Sequence, residues 1–285
     1  MLTRSAFVNP SEKSKRPVVF ITGASSGIGA AAVPIFAAAG YNVVFSARRK
    51  ERLDAIASAA RTMFPEAQLI PLVCDVNSDA AVSAAFATLR ERFGKLDVLI
   101  NNAGYGVYGS VESTPIEVYR ANMETNFLGT VRCTREAIPL LRAAAVANST
   151  KRWGASIVMV SSFVGRRAVP LMAPYCASKF AMEGFSESLR VELHDERIAV
   201  SVVNPGVTQT EFVDSAAGTR PGSFLSPEGG MSSEEVAQVL LKAVRRPSRN
   251  RYLTSAGKMG ILVQWLAPSI LDSAMLSSYR KARGT

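Results

Sequence analysis

A chain of 285 residues, 48% hydrophobic and only 20% charged, carries enough apolar side chains for a substantial core and is not a disordered polymer. Its 33 lysines and arginines against 23 acids give a formal net charge of +10. The basic residues do not interleave with stacking aromatics, so no nucleic-acid partner is expected and the excess reads as a solvated basic surface, part of it suited to a polyanionic cofactor. No run reaches the roughly 18 apolar residues of a membrane span. One histidine and dispersed cysteines make no metal-ligand cluster. Cys74, Cys133 and Cys176, scattered and odd in number, suit reduced thiols in a cytoplasmic protein.

Met1 to Arg16 is polar and charged, lacks the apolar stretch of a secretory signal, and reads as a flexible tail. Pro17 to Thr22 (Pro-Val-Val-Phe-Ile-Thr) is a short β-rich apolar run suited to a buried parallel strand. It enters Thr22-Gly23-Ala24-Ser25-Ser26-Gly27-Ile28-Gly29 and then a helical pattern that ends at Gly40. A strand, a glycine-rich turn and a helix amino terminus form a phosphate site: glycines admit the pyrophosphate close to the backbone, and unsatisfied helix N–H groups point at it. The spacing Gly-x-x-x-Gly-x-Gly differs from the common Gly-x-Gly-x-x-Gly, but its context is the same. The turn also fits Gly-x-Ser-x-Gly, the elbow of serine hydrolases. That chemistry needs a histidine base after the acid, and the only histidine, His194, sits in a charged helix end ahead of the sixth strand. A hydrolase is therefore not expected.

The next strand, Asn42–Ala47, runs into Arg48-Arg49-Lys50. An NAD-selective site places a carboxylate here for the ribose 2′-hydroxyl, whereas arginine suits a 2′-phosphate. Arg48, first beyond the strand, is the expected selector; Arg49 and Lys50 read as solvated charges opening a helix. Further strands are expected near Gln68–Val73, Leu96–Ile100, Ser156–Ser161, Ala199–Val203 and Arg251–Thr254. Helices are expected near Ile28–Ala39, Lys50–Met63, Ser78–Phe93, Ile116–Val146, Pro174–Glu196 and Ser233–Val244. The alternation predicts an α/β fold, a doubly wound parallel sheet of Rossmann type with about seven strands. With no repeat and no linker, one domain is expected over 17–256, after the tail 1–16 and before a C-terminal helical extension, 257–285.

Tyr175 and Lys179 stand four residues apart, with Ser162 thirteen positions upstream of the tyrosine. On a helix, i and i+4 share a face, so the ammonium lies beside the phenol. A free tyrosine titrates near 10, and an adjacent positive charge lowers that value. A strand-end hydroxyl could bind the same substrate oxygen. An acid, its tuner and an orienter suit carbonyl reduction or alcohol oxidation.

At this point the residues resemble the short-chain dehydrogenase/reductase family over roughly Val18 to Phe212. The match rests on the glycine turn, Ser162, Tyr175 and Lys179, Asp75 after the third strand, and Asn101-Asn102-Ala103-Gly104 after the fourth. Asn126 in the middle helix and Pro205-Gly206-Val207-Thr208-Gln209-Thr210 after the sixth strand complete it. The resemblance implies an NADP(H)-dependent oxidoreductase acting on a carbonyl or secondary alcohol, with Tyr175 as acid/base. It implies that Lys179 lowers the tyrosine pKa and holds the nicotinamide ribose. Ser162 orients the carbonyl, and Asn126 holds a water in a relay behind Lys179. Gly23, Ser25, Ser26, Gly27, Ile28 and Gly29 meet the pyrophosphate. Asp75 and Val76 meet adenine, while Asn102, Ala103 and Gly104 line the cofactor and brace the sheet. Pro205, Gly206, Thr208 and Thr210 approach the nicotinamide carboxamide.

Phe212 to Ser232, with Pro221, Pro227, Phe224 and Leu225, reads as a loop closing over a moderately apolar small-molecule substrate. In Lys258 to Leu276 the residues Ile261, Leu262, Trp265 and Leu266 fall at helical spacing, a stripe expected to be core or a homo-oligomer contact (dimer or tetramer). With Arg280, Lys281 and Arg283 nearby, peripheral contact with a membrane surface and a lipid-like keto substrate is the alternative. A non-catalytic NADP(H)-binding sensor is the other.

Overall fold

The computed structural model describes residues 16–209 and 230–283. Seven strands form one parallel sheet: β1 (Val18–Thr22), β2 (Asn42–Ala47), β3 (Leu69–Val73), β4 (Val98–Asn101), β5 (Ala155–Val160), β6 (Ile198–Asn204) and β9 (Asn250–Tyr252). Their order is β3-β2-β1-β4-β5-β6-β9, so the chain winds outward from β1 in one direction and from β4 in the other. β1, β2, β4, β5 and β6 are buried along their whole length, which is why they read as continuous apolar runs instead of alternating ones.

Helices cover both faces. α1 (Gly27–Ala38), α2 (Lys50–Met63) and α7 (Ser233–Arg245) pack Phe36, Leu53 and Leu240 against Ile21, Phe45 and Ile100. On the other face α3 (Asp79–Phe93), α5 (Gly129–Ala147) and α6 (Ala173–Glu192) pack Phe86, Leu141 and Met182 against Phe20, Leu99 and Ile157. Phe20 and Phe86 meet edge to face at 5.1 Å between ring centres. Two helix ends follow local signals. Ser78 caps α3 through the Ala81 N–H, and Ser232 and Glu235 form a reciprocal capping box on α7.

The expected long middle helix is broken. α4 (Ile116–Met123) passes through a π-helical turn at Glu124–Leu128 into α5. A π turn inserts a residue into the hydrogen-bond ladder and is found often at functional sites. Here it carries Asn126. α6 ends at Glu192, short of Glu196, because the chain must turn through Arg197 (φ 59°) into β6. A two-stranded pair not expected from the sequence, β7 (Thr208–Gln209) with β8 (Met231–Ser232), sits beyond β6. The C-terminal stretch forms α8 (Ser255–Leu266) and α9 (Pro268–Arg283), divided at Pro268, which cannot donate to a continuing helix.

The apolar stripe does not form core in this chain. Leu262, Trp265 and Leu266 are 52, 77 and 76% exposed, while Ile261 of the same stripe is half-buried. The tail residues 1–15, Thr210 and nearly all of the expected closing loop lie outside the described residues.

Candidate active site

β1 delivers Thr22 to the carboxyl edge of the sheet, and the chain turns through Gly23 at φ 68° and Gly27 at φ 54°, conformations that favour glycine. A Cβ on Gly23 would lie 2.6 Å from Ala103 Cα, so this turn and the start of the Asn102-Ala103-Gly104 segment are pressed together. Asn102 fastens them: its Nδ2 donates to Thr22 O at 2.9 Å and Gly23 O at 3.1 Å. Ser26, the N-cap of α1, is extended and makes no side-chain cap, leaving the first N–H groups of the helix directed at the turn.

Arg49 behaves differently from its expected role as a solvated charge. Its Nη2 donates to Ser25 Oγ at 2.9 Å and Ser26 Oγ at 2.8 Å, folding the guanidinium over the glycine turn. Arg48, exposed, lines the same cleft, so two arginines border this end of it. Asp75, Val76, Gly104, Pro205, Gly206 and Thr208 line it too. Asp75 Oδ1 accepts from the Asn77 N–H at 3.0 Å, shaping the loop after β3.

Ser162 follows β5, and Tyr175 and Lys179 lie on α6, all three in the cleft wall. Tyr175 is 6% and Lys179 4% exposed. The tyrosine hydroxyl hydrogen-bonds Ser162. Lys179 Nζ donates to the Val160 carbonyl at 2.8 Å and stands 5.7 Å from the centre of the tyrosine ring. Burial pushes the Tyr175 pKa up, and the Ser162 hydrogen bond opposes it. No net lowering of the phenol is found, because burial dominates, and the same force acts on Lys179. Its own pKa is pushed down to about 8, chiefly by burial, with Glu183 pulling the other way.

Asn126 is fully buried on the π turn. Its Oδ1 accepts from the Tyr105 N–H at 2.9 Å, and its Nδ2 donates to Ser178 Oγ at 2.9 Å and Tyr105 O at 3.0 Å. The side chain therefore braces the loop after β4 against α6. A Cβ on Gly104 would lie 2.9 Å from Asn126 Oδ1 and 3.8 Å from Lys179 Nζ, so the three converge on one spot.

The cleft, about 1140 Å³, continues past Tyr175 into an apolar recess. Tyr108, Val164, Val169 and Met172 form its buried wall, backed by Cys176, with Met275 of α9 packed on it. The C-terminal helices are latched there. Arg167 donates to Gln264 Oε1 of α8 at 2.8 Å and to Asp272 Oδ1 of α9 at 2.7 Å. Tyr108 and Arg167 carry no sequence signal, since their roles arise from contacts between distant segments.

The hydrolase elbow has no base. Ser25 follows the carboxyl end of β1, whereas His194 precedes the amino end of β6 in the same parallel sheet, at the opposite edge. His194 is exposed and contacts Asp195 and the Trp153 ring. Among the described residues no group of three His, Cys, Asp or Glu side chains is placed to hold a metal, and no helix is long and apolar enough to cross a membrane.

A parallel doubly wound sheet with a glycine turn at β1 and a Ser-Tyr-Lys set beyond β5 defines a nucleotide-dependent oxidoreductase fold. The sequence model of the short chain dehydrogenase family matches residues 17–220, and the chain belongs to that family. It is 32% identical over 276 residues to mouse "Dehydrogenase/reductase SDR family member 7B", covering 94% of this chain and 83% of that protein. Among solved structures, an alcohol dehydrogenase from Thermococcus sibiricus complexed with 5-hydroxy-NADP superposes with TM-score 0.72 at 25% identity, covering 83% of this chain and 95% of that one. A short chain dehydrogenase/reductase from Burkholderia phymatum in complex with NAD superposes with TM-score 0.79 at 22% identity, covering 91 and 96%, a likeness of fold.

Proposed function

We propose that this chain is an NADP(H)-dependent oxidoreductase that interconverts a carbonyl and a secondary alcohol on a moderately apolar small molecule, with carbonyl reduction favoured. One observation carries the proposal: a single cleft joins the Arg48–Arg49 end, the glycine turn, the Ser162–Tyr175–Lys179 set and the apolar recess. The residues fit such a dinucleotide. Gly23 to Gly29 offer a phosphate cradle, Arg48 and Arg49 with Ser25 and Ser26 offer donors to a 2′-phosphate, and Lys179 offers its ammonium to ribose hydroxyls.

When bound, the reduced nicotinamide supplies the hydride. The Tyr175 hydroxyl donates a proton to the carbonyl oxygen, and Ser162 Oγ donates a hydrogen bond to that oxygen and fixes its position. Lys179 stabilises the tyrosinate left behind, and Asn126 keeps Tyr105 and Ser178 in place around it. The recess formed by Tyr108, Val164, Val169, Met172 and Met275 offers apolar contact and no charged clamp, which supports the apolar substrate class. Contact of Thr210, which lies outside the described residues, with the carboxamide is part of this proposal. We place the enzyme in the cytoplasm as a homo-oligomer. The exposed Met259, Leu262, Trp265, Leu266 and Ile270, with Lys258 and Arg280 beside them, favour a second reading in which it takes lipid-like ketones at a membrane surface. A panel of ketones and aldehydes, assayed by loss of NADPH absorbance, tests the function. Cofactor binding with no turnover on any of them would favour the sensor.

A further inference from the structure

Tyr175, Lys179, Glu183 and Glu187 recur every four residues on α6 and share one helix face. Glu183 is 3% exposed, an expensive position for a carboxylate unless its oxygens are matched. They are matched. Arg166 Nη2 meets Glu183 Oε2 at 2.8 Å and Glu187 Oε1 at 2.7 Å. With its amide turned to donate, Asn204 at the end of β6 reaches Glu183 Oε1 at 2.6 Å and the Ser162 carbonyl at 3.0 Å. Asn250 of β9, turned likewise, donates to Glu183 Oε2 at 3.2 Å.

These contacts converge on the segment that carries Ser162. Phe163 N–H donates to Pro205 O at 2.9 Å, Gly165 N–H to Ser162 O at 3.0 Å and Arg166 N–H to Phe163 O at 3.1 Å. A tight turn therefore separates Ser162 from the arginine that grips Glu183. One turn back along α6 lies Lys179, and the charge of Glu183 is the force opposing its burial. We propose that Glu183 is a positioning residue for hydride transfer: through Arg166 and Asn204 it fixes Ser162, and its charge supports the Lys179 ammonium. This rests on the oxidoreductase reading of the same cleft.

The charged and titratable groups facing Glu183 are Lys179 and Glu187 on α6, Arg166 after β5, and Tyr252 on β9, with Arg190 and Arg249 close to the pair. Burial raises the Glu183 pKa and Arg166 opposes this. Glu183→Gln keeps the shape and removes the charge. In ketone reduction with NADPH followed over a pH series, the alkaline limb of kcat/KM should move to lower pH by about one unit, the scale of a neighbouring charge. NADPH binding near neutrality should stay within a few-fold. Glu183→Asp should restore the limb. Asn204→Ala should leave the limb in place and lower kcat about tenfold, since a displaced orienting group costs rate rather than binding.

A second readout does not depend on turnover. In the cofactor-free full chain, the Cε resonance of isotope-labelled lysine 179, assigned by its loss in Lys179→Met, should titrate at lower pH in Glu183→Gln than in the wild type. If no carbonyl compound is reduced by the wild type, the oxidoreductase reading falls while this titration still decides the charge support. An unchanged lysine titration and an unchanged alkaline limb, with only a lower melting temperature, would overturn the inference.

Discussion

Lys179 Nζ lies 5.7 Å from the centre of the Tyr175 ring and donates to the Val160 carbonyl, so the ammonium stands beside the phenol while anchored to the end of β5. Both are almost wholly buried, and burial moves each toward its neutral form. Burial thus holds the phenol in the protonated form that proton donation requires.

Tyr175→Phe tests the acid itself. The ring stays and only the proton donor leaves, so the fold and NADPH affinity should be retained. Turnover should fall by ~10²–10⁴-fold, the usual contribution of general acid–base assistance. A variant within a few-fold of wild type on every reactive substrate would remove Tyr175 from its role.

The lysine predicts a pH dependence of stability. A folded-state value of about 8 lies below the ordinary lysine value near 10.4, so between these pH values the unfolded chain binds more protons than the native one. The contribution of Lys179 to stability therefore rises with pH across that window, with a slope of at most ~1.4 kcal/mol per pH unit. Above about 10 the raised Tyr175 acts in the opposite sense: the unfolded tyrosine loses its proton while the buried one keeps it, and stability falls. Urea unfolding of wild type and Lys179→Met at several pH values gives the difference directly. A wild-type-minus-variant curve that is flat from about 8 to 10 would contradict the shift.

The proposed preference for NADPH rests on two arginines. Arg48→Ala and Arg49→Ala should each weaken NADPH binding by more than tenfold, because a charge-assisted phosphate contact contributes on the order of 1.5–3 kcal/mol. NADH binding should barely change in Arg48→Ala. It should weaken modestly in Arg49→Ala, since Arg49 also holds Ser25 and Ser26. Fluorescence titration with both coenzymes separates these outcomes, and equal losses for both would assign the arginines to the fold alone.

These sites differ in how visible they are along the chain. β1, β2 and the glycine turn are legible because strands buried on both faces need unbroken apolar runs, and a tight turn against Ala103 needs glycine. The π turn at Asn126 leaves no mark in the apolar periodicity, and the contacts of Asn126 to Tyr105 and Ser178 join segments 21 and 52 residues apart. Arg49 was read as solvated because its partners lie 23 and 24 residues away in sequence. Glu183 resembles any acid on an amphipathic helix until β6 and β9 bring Asn204 and Asn250 against it. The stripe of α8 shows a related limit: helical spacing identifies a face but not what covers it, and Trp265 and Leu266 face outward.

The C-terminal helices give the last prediction. Arg167 ties Gln264 and Asp272 to the turn after Ser162, and Met275 packs on the recess beside Tyr175. Removing Lys258 onward would expose the recess and leave the Arg167 guanidinium without these two partners. At ~25 cal/mol per Å² of apolar area, uncovering several side chains costs several kcal/mol, comparable with the whole stability of a typical domain. The truncated protein should therefore melt lower and lose turnover, while Arg167→Ala alone should give a milder version of both. The outer face is read separately in the intact protein. Leu262→Ser with Trp265→Ser should shift the oligomeric state in light scattering if a second copy covers it, or abolish sedimentation with anionic vesicles if lipid does. A truncated enzyme with unchanged melting temperature, oligomeric state and activity would show that α8 and α9 contribute neither to the recess nor to assembly.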